Sequence, residues 1–301
     1  MSWESEKRNF QEYLWLEKGL SENTQLAYIR DIEKLQVFAE NYNELNPNEV
    51  DHLFVQNFVY DFAKRSYSAK SQARLLSSLK SFFKFLQLEE RREDNPTELL
   101  ESPKIGLRLP DTLNHEEVKK IIDSIDLSQP EGERNRTIIE TLYGCGLRVS
   151  ELINLKLSDM FFEENFIRVI GKGDKQRLVP VSDRTMQYIT VYRDFIRSHQ
   201  EPKPKCEDIL FLNRRGGKLT REMIFIMVRN AAEKAGIKKK VSPHTFRHSF
   251  ATVLLKNGAD LRSIQQMLGH ESITTTEIYT HLDKQQLRDT IEKFHPFYRE
   301  R

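Results

Sequence analysis

Between Leu88 and Asp111 the chain carries three prolines, Pro96, Pro103 and Pro110, seven residues apart. A proline ring fixes φ, removes an amide donor and pushes the preceding residue towards extended backbone. No helix or strand ladder runs through such a stretch. On both sides of it the apolar residues recover a regular period. The chain therefore reads as two folding units: a helical domain over 1–88, a linker over 89–106 and a second domain over 107–301. A length of 301 residues also favours two cores over one.

The first unit reads as four helices. Phe10, Tyr13, Leu14 and Leu16 suit one helix face, and Ser21 to Thr24 looks like a cap for a helix carrying Tyr28, Ile32, Leu35 and Phe38. Asn46-Pro47 marks the start of a third helix, with Val50, Leu53, Phe54, Phe58 and Phe62 on its apolar side. Ser68 caps a fourth, bearing Leu75, Leu76, Leu79, Phe82, Phe83 and Leu86.

Beyond the prolines, Asn114-His-Glu-Glu117 has the form of an N-cap with acids in the first turn. A helix over 136–144 ends at Gly144-Cys-Gly146, and another begins at Arg148. The β-rich runs 166–170 and 177–181 flank Gly171-Lys-Gly-Asp-Lys175, which predicts a hairpin with Lys172 at its turn. Helices are expected over 184–198, 220–235, 244–257, 260–268, 274–281 and 284–293. The fold class is thus mainly α with a small β-sheet. No run of 18 apolar residues exists, so no transmembrane helix is expected. The start lacks the apolar core of a secretory signal, and Cys145 and Cys206 make no disulfide framework; a cytoplasmic protein is the expectation.

The net charge of +2 hides an uneven distribution: residues 1–100 carry 13 basic and 17 acidic side chains, the remainder 34 and 28. Between Asp61 and Glu89 there is no acid, but there are six bases: Lys64, Arg65, Lys70, Arg74, Lys80 and Lys84. Arg214, Arg215, Lys218 and Arg221 form a second cluster, and Lys238 to Lys240 a third. Such clusters neutralise phosphates and release counterions, although any one of them also suits a solvated helix face.

Four segments bring polar groups where the pattern does not demand them. Gly144-Cys-Gly-Leu-Arg148-Val-Ser-Glu151 places an arginine and a glutamate three residues apart after a glycine turn. Lys172 occupies the hairpin turn. Pro243-His244-Thr-Phe-Arg247-His248 puts His244 and Arg247 on one helix face. Gly269-His270 precedes a short segment with Tyr279. Singly, the first, second and fourth read as a surface ion pair, a solvated lysine and a core tyrosine; the histidines of the third raise zinc binding, but Cys145 and Cys206 are not in metal-site pairs and no carboxylate joins them. Together they suit phosphoryl transfer at a phosphodiester. Arginine forks match the charge gathering on the non-bridging oxygens, lysine can protonate a leaving oxygen, and tyrosine supplies a nucleophile. No set of carboxylates for paired metals is apparent, so no metal and no cofactor is expected.

These motifs (Gly-Leu-Arg148-Val-Ser-Glu-Leu, Gly-Lys172-Gly, His244-Thr-Phe-Arg247-His-Ser-Phe-Ala-Thr, Leu-Gly-His270 and Ile-Tyr279-Thr-His) resemble those of the tyrosine recombinase (lambda-integrase) family, and within it the Xer chromosome-dimer resolvases. The resemblance spans the chain. It implies an N-terminal helical, SAM-like core-binding domain and a C-terminal α+β catalytic domain. It also implies Tyr279 as the nucleophile forming a 3′-phosphotyrosyl bond, Arg148 and Arg247 on the non-bridging oxygens, and Lys172 as general acid. His244 would assist proton transfer, His270 would bind the phosphate, and Glu151 would orient Arg148. The implied partners are double-stranded DNA at a dif-like site, a second Xer recombinase in a cyclic heterotetramer, and a septal DNA translocase. Residues 287–298 would dock on a neighbouring protomer through Leu287, Ile291, Phe294 and Phe297, or else pack on their own domain. A mobile-element integrase, a plasmid resolvase or a type IB topoisomerase would use the same chemistry, and an inert architectural DNA-binding protein would need none of it.

Overall fold

The computed structural model describes residues 2–42, 45–65, 67–101, 111–171, 175–269 and 281–298, with the side chains of 281–284 left aside. It divides into two compact units, Met1–Arg108 and Leu109–Arg301. None of its described helices is long and apolar enough to cross a membrane.

The first unit contains α1 (Trp3–Leu16), α2 (Glu22–Glu40), α3 (His52–Lys64) and α4 (Ala69–Leu88). Phe10, Leu14, Ile32, Phe58, Leu79 and Phe82 lie in one core. Two expectations need correction. Helix α3 begins at His52, not at Asn46-Pro47, because Asp51 accepts the Phe54 amide at 2.7 Å and caps it. The Asn46 stretch is a separate turn, closed by the Glu49 carboxylate on the Asn46 amide. Leu16 and Leu53, expected inside, are 69% and 64% exposed. Each lies two residues from a buried partner, Leu14 or Val55, which is about 200° round a helix. Of the stretch 89–106, residues up to 101 are described, and they pack on this unit. Arg92 Nη1 donates to the carbonyls of Pro47 and Val50, both at 2.8 Å, and Leu100 joins the core.

The second unit begins with α5 (His115–Asp123), whose expected capping box is present: the Glu117 amide meets Asn114 Oδ1 and the Asn114 amide meets Glu117 Oε2, both at 2.8 Å. Asn114→Ala should lower the stability of this unit by about 1 kcal/mol. Urea unfolding followed by far-UV circular dichroism checks this, because Trp3 and Trp15 leave tryptophan fluorescence to report only the first unit.

Helix α6 (Gly132–Cys145) runs through the core, with Ile138, Ile139 and Leu142 fully buried. After α7 (Val149–Asn154) come β1 (Met160–Phe161), β2 (Phe166–Ile170) and β3 (Gln176–Pro180), an antiparallel sheet in the order β1-β2-β3. The two strands pair antiparallel as expected, with Ile167 opposite Val179 and Val169 opposite Arg177; the turn residues 172–174 lie outside the described residues, and the short β1 was not foreseen. The remaining helices are α8 (Asp183–Val191), α9 (Arg221–Lys234), α10 (Pro243–Lys256), α11 (Leu261–Leu268) and α12 (His281–Phe294). The expected helix over 274–281 falls outside the described residues, apart from its last position. In this chain Leu287 and Ile291 pack in a cluster with Phe250, Leu254 and Met267, and Phe297 joins the main core, so these anchors close on their own unit.

Candidate active site

The turn after α6 is built on Gly146, which adopts φ 60°. A Cβ there would stand 2.6 Å from the Phe250 ring, so both conformation and space require glycine. The turn delivers Arg148 to the start of α7 and Glu151 to its first turn. Glu151 reaches back to accept the Arg148 amide at 2.8 Å and Arg148 Nη1 at 2.9 Å.

Glu151 is the hub of a buried charge cluster. Its two oxygens also accept Arg177 Nη1 and Nη2 from β3, both at 2.8 Å, and Arg247 Nη1 from α10 stands 3.8 Å away. The side chains of Glu151, Arg177 and Arg247 are 3%, 6% and 6% exposed, whereas Arg148 is 40% exposed. Burial raises the pKa of Glu151, but hydrogen bonds and charge from Arg177, with help from Arg148, outweigh it and hold the carboxyl below its usual range. Burial, then the neighbouring charge of Arg148, pulls the Arg247 guanidinium down to about 9, so it remains a cation at neutral pH.

The same three arginines close the end of α11. A helix C-terminus leaves carbonyls without intrahelical donors and carries partial negative charge. Here Met267 O accepts Arg177 Nε at 2.7 Å, Leu268 O accepts Arg247 Nη2 at 2.6 Å, and Gly269 O accepts Arg148 Nη2 at 3.3 Å. Arg247 Nη1 also donates to Gly146 O at 2.8 Å. Gly269, at φ 65°, ends the helix against the Arg177 side chain.

His244 lies exposed in the first turn of α10, one turn before Arg247, and its Nε2 meets His248 Nε2 at 3.2 Å. Lys172, His270 and Tyr279 lie outside the described residues. The residues flanking two of them are at the site: a Cβ on Gly171 would lie 3.9 Å from Glu151 Oε1, and Gly269 is tied to Arg148. The structure thus brings Arg148, Glu151 and Arg247 together and adds Arg177, which the sequence reading missed. Strand parity was the available signal, because Arg177 shares a face with buried Val179.

The basic candidates are less uniform than their sequence suggests. Arg74 pairs with Asp31, a fully buried acid on α2, at 2.9 Å, and Arg65 pairs with Asp61 at 2.7 Å. Lys64 stands over the Tyr60 ring. Lys70 and Lys84 are exposed and Lys80 is half-buried. In the second cluster Arg214 pairs with Glu131 and Lys218 with Asn154, while Arg215 and Arg221 are exposed.

Two family descriptions match the chain: the phage integrase family over residues 111–286, and the phage integrase N-terminal SAM-like domain over residues 8–90. The tyrosine recombinase XerD of Staphylococcus aureus is 44% identical over 284 residues, covering 94% of this chain and 96% of that protein. Among solved structures, a XerA recombinase is 34% identical with a TM-score of 0.50, covering 96% of this chain and 97% of that one. A XerH site-specific recombinase bound to its difH substrate before cleavage is 27% identical with a TM-score of 0.67, over 88% of this chain and 78% of that one.

Proposed function

The chain belongs to the phage integrase family as a tyrosine recombinase, an enzyme that cleaves and rejoins DNA, and from that premise we propose that it recombines a dif-like site to resolve chromosome dimers at cell division. The observation that carries this reading is the joint seating of Arg148 and Arg247 on Glu151, with Arg148 open to solvent and Arg247 buried.

In the proposed reaction Tyr279 Oη attacks the scissile phosphorus. The bond from phosphorus to the 5′ oxygen breaks, and Lys172 supplies the proton that oxygen takes up. Arg148 and Arg247 hold the non-bridging oxygens through the transition state, where guanidinium forks contribute most. His270 binds the phosphate and His244 moves the nucleophile's proton. The 3′-phosphotyrosyl bond conserves the ester energy, so a 5′-hydroxyl from a second strand reverses the step without ATP, and a Holliday junction separates the two exchanges.

The helical domain, 1–88, would contact DNA phosphates through Lys64, Arg65, Lys70, Arg74, Lys80 and Lys84. Residues 89–106 would be the linker and 107–301 the catalytic domain, with Arg214, Arg215, Lys218 and Arg221 on phosphates. The XerH relative bound to its difH substrate supports double-stranded DNA as the partner. We further propose a cytoplasmic role beside a second Xer recombinase in a cyclic heterotetramer, with a septal DNA translocase as a further partner.

A dif-like duplex nicked near the cleavage point should trap a covalent protein–DNA adduct. Nuclease digestion and peptide mapping should then leave the residual nucleotide on Tyr279. A modified residue other than Tyr279, or relaxation of any plasmid regardless of sequence, would overturn the assignment.

A further inference from the structure

We propose that Arg177 is a positioning residue of the recombination reaction, fixing Glu151 and the end of α11 in one geometry so that Arg148 and Arg247 are set together. The inference rests on the recombinase reading above.

Strand β3 presents Arg177 inward, opposite Val169, at 5% exposure. All three nitrogens of its guanidinium donate to protein acceptors, so whatever it contributes passes through its neighbours. Its donors go to two elements. Nη1 and Nη2 meet the Glu151 oxygens, and Nε meets Met267 O. The hairpin that carries Lys172, the helix that carries Glu151 and the helix that leads to His270 and Tyr279 are thereby joined by one planar group.

Both things it holds are used by the proposed catalytic arginines. Glu151 orients Arg148, while the carbonyls following Met267 take Arg247 and Arg148. The close approach of Arg177 Cδ to Gly269, 3.1 Å from where a Cβ would stand, seats the end of α11 on the same side chain. Stability alone gives a weak reason for such a residue, since well-packed apolar groups often replace a buried ion pair at no cost. A fork that fixes two directions at once is what arginine offers over lysine.

The test is single-turnover capture of the nicked site from pH 5 to pH 9 by wild type, Arg177→Lys and Arg177→Gln, with DNA affinity measured alongside. Capture should slow by about 10- to 100-fold, the usual effect of losing a group that orients a functional ligand from behind. Affinity should stay within about twofold. Among the described residues the charged groups facing Glu151 are Arg148 from α7, Arg177 from β3 and Arg247 from α10. Without the Arg177 fork the carboxyl should protonate at higher pH, so the variants should gain an acid-side loss of activity. Adding Glu151→Gln should remove that pH dependence.

Arg177→Lys keeps a cation beside the carboxylate and serves as the variant that folds if Arg177→Gln does not. Wild-type rate and pH profile in Arg177→Lys would overturn the proposal. So would a loss that is equal at every pH and tracks loss of helicity. Failure of wild type itself to capture any site would instead overturn the recombinase reading, and this inference with it.

Discussion

Arg247→Ala is expected to slow covalent capture of a nicked site by about 10²–10³-fold, which corresponds to roughly 3–4 kcal/mol of lost transition-state stabilisation for a preorganised donor. Three features argue for an effect at the upper end. Arg247 is buried, so its charge acts in a medium that screens it poorly. Its fork is already fixed by Gly146 O and Leu268 O, so little reorganisation is needed when phosphate arrives. Arg148 and Arg177 beside it make the pocket a concentrated positive field that a dianionic transition state relieves. DNA binding should persist, because affinity is spread over many phosphate contacts. Arg247→Lys separates chemistry from folding: it keeps a cation near Glu151 but loses the planar fork, so it should fold normally and still be slow. Near-wild-type capture by Arg247→Ala would remove it from the mechanism.

How far the sequence reached can be judged from particular residues. Helical periodicity located α1 to α4 and most of the second unit, and Asn114 with Glu117 marked a cap that is present. Periodicity failed where a local competitor decided the outcome, as when Asp51 capped α3 five residues after the expected start. It also could not say what covers an apolar face. Leu287 and Ile291 announced burial, but only the fold shows them against Phe250 and Met267 of their own unit. Motif spacing found Arg148, Glu151, His244 and Arg247, because each pair lies within one helical turn. Arg177 escaped because its partners are 26 and 90 residues away along the chain. Long-range ion pairs of that kind leave no local pattern; strand parity with Val179 signals that Arg177 is buried, but not what it meets.

Glu151→Gln should destabilise the second unit by about 3–5 kcal/mol at neutral pH, the usual cost of removing one member of a buried charge cluster. The substitution keeps size and shape but leaves Arg148, Arg177 and Arg247 facing one another without a carboxylate. The pH dependence carries a definite sign. Burial alone would raise the carboxyl, but the arginines depress it below its unfolded value. A carboxyl depressed in the folded state contributes its full stabilisation above the unfolded pKa, about 4.3. That contribution fades as pH falls through the folded value. The gap between wild type and Glu151→Gln should therefore be widest near neutrality and narrow as the solution is acidified below about pH 4. Urea unfolding by far-UV circular dichroism across that range measures the gap. Tryptophan fluorescence from Trp3 and Trp15 should show no change in the first unit. A gap that stayed constant with pH would mean that Glu151 stabilises by shape rather than by charge.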